Sequence, residues 1–75
     1  MQIFEDYIEI KFYEMKVGMR VRIKYLSSIH IYDGIVTSIN SKEVIIICNS
    51  FPISARNNNN YSYYKIIERD YDLGI

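Results

Sequence analysis

Met19-Arg20-Val21-Arg22-Ile23-Lys24-Tyr25 alternates without a break: Met19, Val21, Ile23 and Tyr25 share one face, and Arg20, Arg22 and Lys24 share the other. Period two over seven residues is the mark of a β-strand with one buried face. A helix would scatter those cations around its circumference. This stretch decides the fold class, and the reading extends outward from it in both directions.

On the N-terminal side, Lys16-Val17-Gly18 breaks the pattern, and before it Tyr7-Ile8-Glu9-Ile10-Lys11-Phe12-Tyr13 alternates again. Residues 7–13 are expected as a strand. A helix competes, because Phe4, Ile8, Phe12 and Met15 also recur at helical spacing. On the C-terminal side, Leu26-Ser27-Ser28 reads as a loop and residues 29–39 as a longer strand. Gly34 inside that strand predicts a bulge or sharp bend, which lets one strand serve two sheets. Asn40-Ser41 is a turn, and Glu43 to Cys48 forms the next strand. Its run Val44 to Ile47 lacks polar alternation, which predicts burial on both faces or a central position. Asn49-Ser50 is another turn, and Phe51 to Ser54 is a short strand at most, confined by Pro52 to an edge or a strand start. Asn57 to Asn60 is a loop tip, Tyr61 to Glu68 a last strand, and 69–75 a frayed tail. The expectation is one domain over 1–75, all-β, with five or six short antiparallel strands and a small barrel over 19–68.

Composition agrees. Of 75 residues, 49% are apolar and 15% aromatic, and nine basic side chains balance nine acidic ones. A disordered tail or a polybasic nucleic-acid coat would look different. Fifteen Ile and eight Tyr favour strands, because branched and aromatic side chains fit a pleated surface. Ile, Lys, Asn and Tyr supply 34 residues, and their codons point to an AT-rich genome; low-GC bacteria, their phages and some large viruses all fit. No apolar run approaches the roughly 18 residues of a membrane span. Glu5 and Asp6 stand where a signal peptide carries cations, so a soluble, cytoplasmic protein, of the producing or a host cell, is expected. Asn60-Tyr61-Ser62 is formally a glycosylation acceptor and is read as chance.

A chain this short buries only roughly 60% of the surface its unfolded form exposes. Cys48 is alone, so it forms no internal disulfide, and one Cys with one His cannot complete a four-ligand zinc site. Stability must come from Ile packing, from the aromatic residues or from a partner subunit.

Gly18-Met19-Arg20-Val21-Arg22-Ile23 has the form G-x-x-V-x-I, and Gly34-Ile35-Val36-Thr37-Ser38-Ile39 the form G-x-V-x-x-I. The pair, followed by a turn and an apolar strand, resembles the opening of SH3-like small barrels of the KOW and Tudor kind, over residues 17–48. The matching positions are Gly18, Val21, Ile23, Gly34, Val36 and Ile39. The intervening loop departs from KOW loops, having no Gly between Tyr25 and Tyr32. The resemblance implies a fold and leaves function open among peptides, modified tails, nucleic acids and other subunits.

Three functional readings follow. Cys48 and His30 are the only Cys and His, the carboxylates form no recognisable acid–base couple, and no Gly-rich phosphate loop occurs. An enzyme is therefore not expected, nor any cofactor or metal. The first reading is a non-catalytic module, of the kind a phage or viral accessory protein provides, that docks on a larger protein through Tyr-rich loops or an edge strand. Tyr25 and Tyr32 flank one loop, and Tyr61, Tyr63 and Tyr64 follow another; tyrosine offers a flat apolar face with a polar tip. The second is nucleic-acid binding by Arg20, Arg22 and Lys24, about 7 Å apart along one strand face, with Tyr25 and Tyr32 for stacking and His30 as a further contact. The charge is segregated to match: residues 1–15 carry −3, 16–25 carry +4, 26–67 carry +1 and 68–75 carry −2. Internal pairing of neighbouring strands accounts for the same segregation. The third is a structural homo-oligomer joined through the N-terminal strand.

Overall fold

The computed structural model describes residues 2–71. Six strands form one antiparallel sheet: β1 (Gln2–Ile10), β2 (Arg20–Tyr25), β3 (Ile31–Ile39), β4 (Glu43–Cys48), β5 (Phe51–Arg56) and β6 (Tyr61–Tyr71). Their spatial order is β1-β6-β2-β3-β4-β5. The domain is therefore all-β, as expected, but β1 and β5 remain edges and the sheet is not closed into a barrel.

The alternation of β2 sets the inner face. Val21 and Ile23 are buried there and join Val36, Val44, Ile46, Ala55 and Tyr63 from the other strands. Phe12 and Met15 complete this core from the β1–β2 connection. β1 is a strand to Ile10, which disposes of the competing helix, but the strand does not run on to Tyr13. Phe12–Glu14 is a single 3₁₀ turn, secured where the Lys11 amide donates to Glu14 Oε1 at 2.8 Å. The turn is what lets Phe12 leave the strand and enter the core. The helical spacing of Phe4, Ile8, Phe12 and Met15 finds no helix: Phe4 and Ile8 lie exposed on a strand, and Phe12 and Met15 are buried from the connection that follows it.

Gly18 sits at φ +93° in a tight turn, where the Met19 amide donates to the Lys16 carbonyl. A glycine at positive φ costs nothing sterically, and the Gly18 amide then donates to Val36.

Gly34 does something other than bulge. The irregularity in the β3–β4 register falls between Val36 and Ser38, three residues later than expected. At Gly34 the Ile47 backbone comes so close that a Cβ would lie 2.3 Å from the Ile47 carbonyl oxygen. Here β3 passes from one neighbour to the other: Ile31–Ile35 pair with β2 and Ile35–Ile39 with β4.

Three further boundaries shift. β3 begins at Ile31, β5 runs to Arg56 because only its outer edge carries Pro52, and β6 continues to Tyr71. The tail expected over 69–75 is thus strand to Tyr71, paired with β1; 72–75 lie outside the described residues. β4 is an interior strand, one of the two readings of its apolar run, but it is not buried on both faces. Val44 and Ile46 are core, whereas Ile47 is exposed on the opposite face. Asn49 and Ser50 both take positive φ, the requirement of a two-residue hairpin turn.

β2 pairs with β6 only as far as Lys65, whereas β1 pairs with it as far as Tyr71. A two-stranded β1–β6 ribbon therefore extends beyond the core, and the molecule measures 46 × 24 × 23 Å.

Candidate functional site

Strand polarity alone gathers the aromatic residues. β2 ends, β3 begins, β4 ends and β5 begins at the same end of an antiparallel sheet. Tyr25 closes β2 and stands in register with Tyr61, the first residue of β6. Their rings lie 5.0 Å apart, tilted by 36°. Tyr32, near the start of β3, stands opposite Ile23 on the same inner face. Pro52, Ile53 and Ser54 of β5 supply the facing wall of a cleft of about 320 Å³, with Ile23 contributing to its lining.

The cleft contains no charged side chain in its lining. Beneath it the aromatic stack continues inward: Tyr61 lies 6.3 Å from Tyr63, and Tyr63 meets Phe12 edge-on at 5.5 Å. At the same end of the sheet, exposed apolar side chains project from the β2–β3 loop and the start of β5. Leu26 is 56% exposed, Ile29 92% and Phe51 70%. His30 stacks on Tyr32 at 6.3 Å.

The five expected tyrosines therefore divide. Tyr25, Tyr32 and Tyr61 converge. Tyr63 is 6% exposed and belongs to the core, where its hydroxyl donates to the Arg56 carbonyl. Burial pushes that hydroxyl's pKa above the ordinary phenol value. Tyr64 lies on the outer face, in register with Arg22 and Glu9. The alternation of Tyr61, Tyr63 and Tyr64 carried the signal that two share a face and the third does not. Pro52, Ile53 and Ser54 were missed as cleft residues, because nothing local in Phe51-Pro52-Ile53-Ser54 says which strand it faces across the core.

The basic strand does project Arg20, Arg22 and Lys24 from one face. Two of the three are already engaged. Arg22 donates through Nε and Nη2 to both Asp33 carboxylate oxygens, at 2.7 and 2.9 Å, and its guanidinium carbon lies 3.7 Å from the centre of the Tyr7 ring. Arg20 pairs with Glu5 and with Glu68, the latter at 3.2 Å. Lys24 makes no ion pair among the described residues. Donating to the Asp33 carboxylate also holds Arg22 in its charged form more firmly.

Comparison with protein-family models, with curated proteins and with solved structures returned no match. Among the described residues no helix is long and apolar enough to cross a membrane.

Proposed function

We propose that this domain is a non-catalytic binding module that docks on a larger protein through the Tyr25–Tyr32–Tyr61 cleft. The observation that carries the reading is the convergence of three tyrosines from three strands on an uncharged cleft, opposite Pro52 and Ile53. Tyrosine is enriched among residues that dominate binding energy, because it presents a large rigid face at low entropic cost. The exposed Leu26, Ile29 and Phe51 add apolar area that a partner would cover. The partner is accordingly a protein segment presenting apolar side chains without a required charge.

The strand order supports a finer reading. Within the sheet, β2 to β5 form a meander and β6 returns to lie beside β2. That arrangement, with Gly18 and Gly34 at the positions described, favours an SH3-like module to which β1 has been added as an extra edge. The nucleic-acid reading draws no comparable support, since Arg20 and Arg22 are bound to carboxylates.

The test is affinity capture with the full chain and with a Tyr25→Ala/Tyr32→Ala variant whose folding is checked by circular dichroism. A protein retained by the wild type should bind the variant at least about tenfold more weakly, the loss typical of buried aromatic anchors. Lys24→Glu should leave that binding unchanged. Undiminished capture by the double tyrosine variant would overturn the reading. So would tight, salt-sensitive binding of an oligonucleotide that Lys24→Glu abolishes.

A further inference from the structure

The two edges of the sheet are not equivalent. β5 carries Pro52, which lacks an amide donor. β1 is longer, at nine residues, and contains no proline. Its acidic side chains would ordinarily defend it against pairing. Two of them are already engaged from within: Glu5 shares Arg20 with Glu68, and Asp6 pairs with Arg69 at 2.6 Å. Tyr7 and Ile8 remain exposed along the same edge.

A second copy of the chain can add to this edge antiparallel, about a two-fold axis perpendicular to the sheet. Each register then places one residue opposite its own copy, and charge decides among them. Centring on Asp6 sets Asp6 against Asp6, and centring on Glu5 or Glu9 does the same with glutamate. Centring on Tyr7 sets Glu5 against Glu9 twice. Centring on Ile8 creates no like-charge pair. It sets Ile8 against Ile8, Tyr7 against Glu9, Asp6 against Ile10, and Glu5 against Lys11. Among registers spanning seven or more residues of 2–11, it alone is free of like-charge opposition.

Two features favour that register. Lys11 keeps the extended conformation (φ −88°, ψ 155°) one residue past the end of β1, so its side chain continues the alternation of the strand although Glu14 already holds its amide and carbonyl. Its ammonium makes no ion pair among the described residues. On the receiving side, Glu5 stands directly opposite Glu68 in the β1–β6 register, with Arg20 shared between them. Two carboxylates on one guanidinium leave a net negative charge, which the partner's Lys11 neutralises.

We propose that β1 is a homodimer interface, with two copies pairing antiparallel about Ile8 and joining their six-stranded sheets into one. The interface is independent of the tyrosine cleft, so either can fail without the other.

Sedimentation of the full chain across a concentration series should show a shift from the monomer mass to twice that mass. Lys11→Glu replaces two unlike pairs by two like ones and should weaken association about tenfold or more. Glu5→Lys should do the same alone, and mixing the two variants should restore a heterodimer, because both cross-strand pairs become unlike again. Glu5→Lys also disturbs the Arg20 site, so a second measurement fixes the register independently. In a Cys48→Ser background, Ile8→Cys should oxidise to a covalent dimer, since directly opposed residues lie within disulfide reach. Asp6→Cys, displaced from its own copy by four residues, should not. A chain that stays monomeric throughout overturns the proposal. So does a Lys11→Glu chain that associates as well as wild type, or cross-linking through Asp6→Cys in preference to Ile8→Cys.

Discussion

The core of the sheet and the β1–β6 ribbon are built from the same strand chemistry but are held by different forces. In the core, Val21, Ile23, Val36, Val44 and Ile46 are almost wholly removed from water. Each fully buried branched side chain is worth roughly 1.5–3 kcal/mol. In the ribbon Ile66 is buried but Phe4 and Ile8 stay exposed, and ion pairs tie the strands: Glu5–Arg20–Glu68 on one face and Asp6–Arg69 on the other. Surface pairs of this kind contribute about 0–1 kcal/mol each. The contrast teaches that one continuous hydrogen-bonded sheet need not be uniformly stable. Where the sheet curls over its own inner face, packing dominates; where it projects, surface ion pairs act beside the buried side chain of Ile66.

The largest expected effect lies in the core. Ile46→Ala should cost about 2–5 kcal/mol, measured by urea denaturation, since the cavity it leaves is enclosed on every side. A loss under about 1 kcal/mol would mean that the core is looser than its burial implies. Gly34→Ala should cost about 3 kcal/mol, because its Cβ would meet Ile47 backbone rather than a side chain that can turn away. Thermal unfolding with β3–β4 amide exchange would show whether the loss is local to that approach.

A smaller effect concerns Tyr63. The unfolded chain, with an ordinary phenol, ionises first. Its contribution to stability is therefore whole below about pH 10 and is lost as pH rises through the higher folded value. Denaturation midpoints should fall on the alkaline side, and Tyr63→Phe should flatten that fall. The smallest effect is expected in the ribbon. Arg20→Ala should lower global stability by no more than about 1 kcal/mol. Yet it should speed amide exchange in the ribbon while leaving the β4 core amides unchanged, and about 1 M salt should partly mimic it. Equal acceleration in both regions would erase the distinction drawn between them.

Much of this was legible in order along the chain. The bounds of β4 match their reading to the residue, and β2 differs by one. Strong alternation between clear turns leaves little freedom. The misreadings have specific causes. The apolar run Val44 to Ile47 left two-sided burial and a central position open, and β4 is interior but one-sided, because an exposed isoleucine on an outer face is as apolar as a buried one. Gly34 was read as a bulge or a sharp bend, and the bulge falls at Val36–Ser38 instead, because sequence cannot separate a glycine needed for backbone shape from one needed for close approach. Phe12 and Tyr13 were assigned to a strand because their parity continued that of β1, although Phe12 departs to fill the core.

The candidate site divides in the same way. Tyr25, Tyr32 and Tyr61 could be named as candidates from their places beside loops, and the charge segregation of residues 1–25 foretold internal pairing of the basic strand, though not that Arg20 would meet Glu5 across β6. Period-two alternation and charge are local properties, so the amino-acid sequence determined by itself the all-β class, most of the strands and the faces of β2. Which strand lies beside which is set by contacts between distant residues. Only the tertiary structure decided that β6 returns between β1 and β2, that Arg22 closes on Asp33, and that Pro52 faces three tyrosines across a cleft. Each depends on how the sheet curls around a core too small to cover every strand.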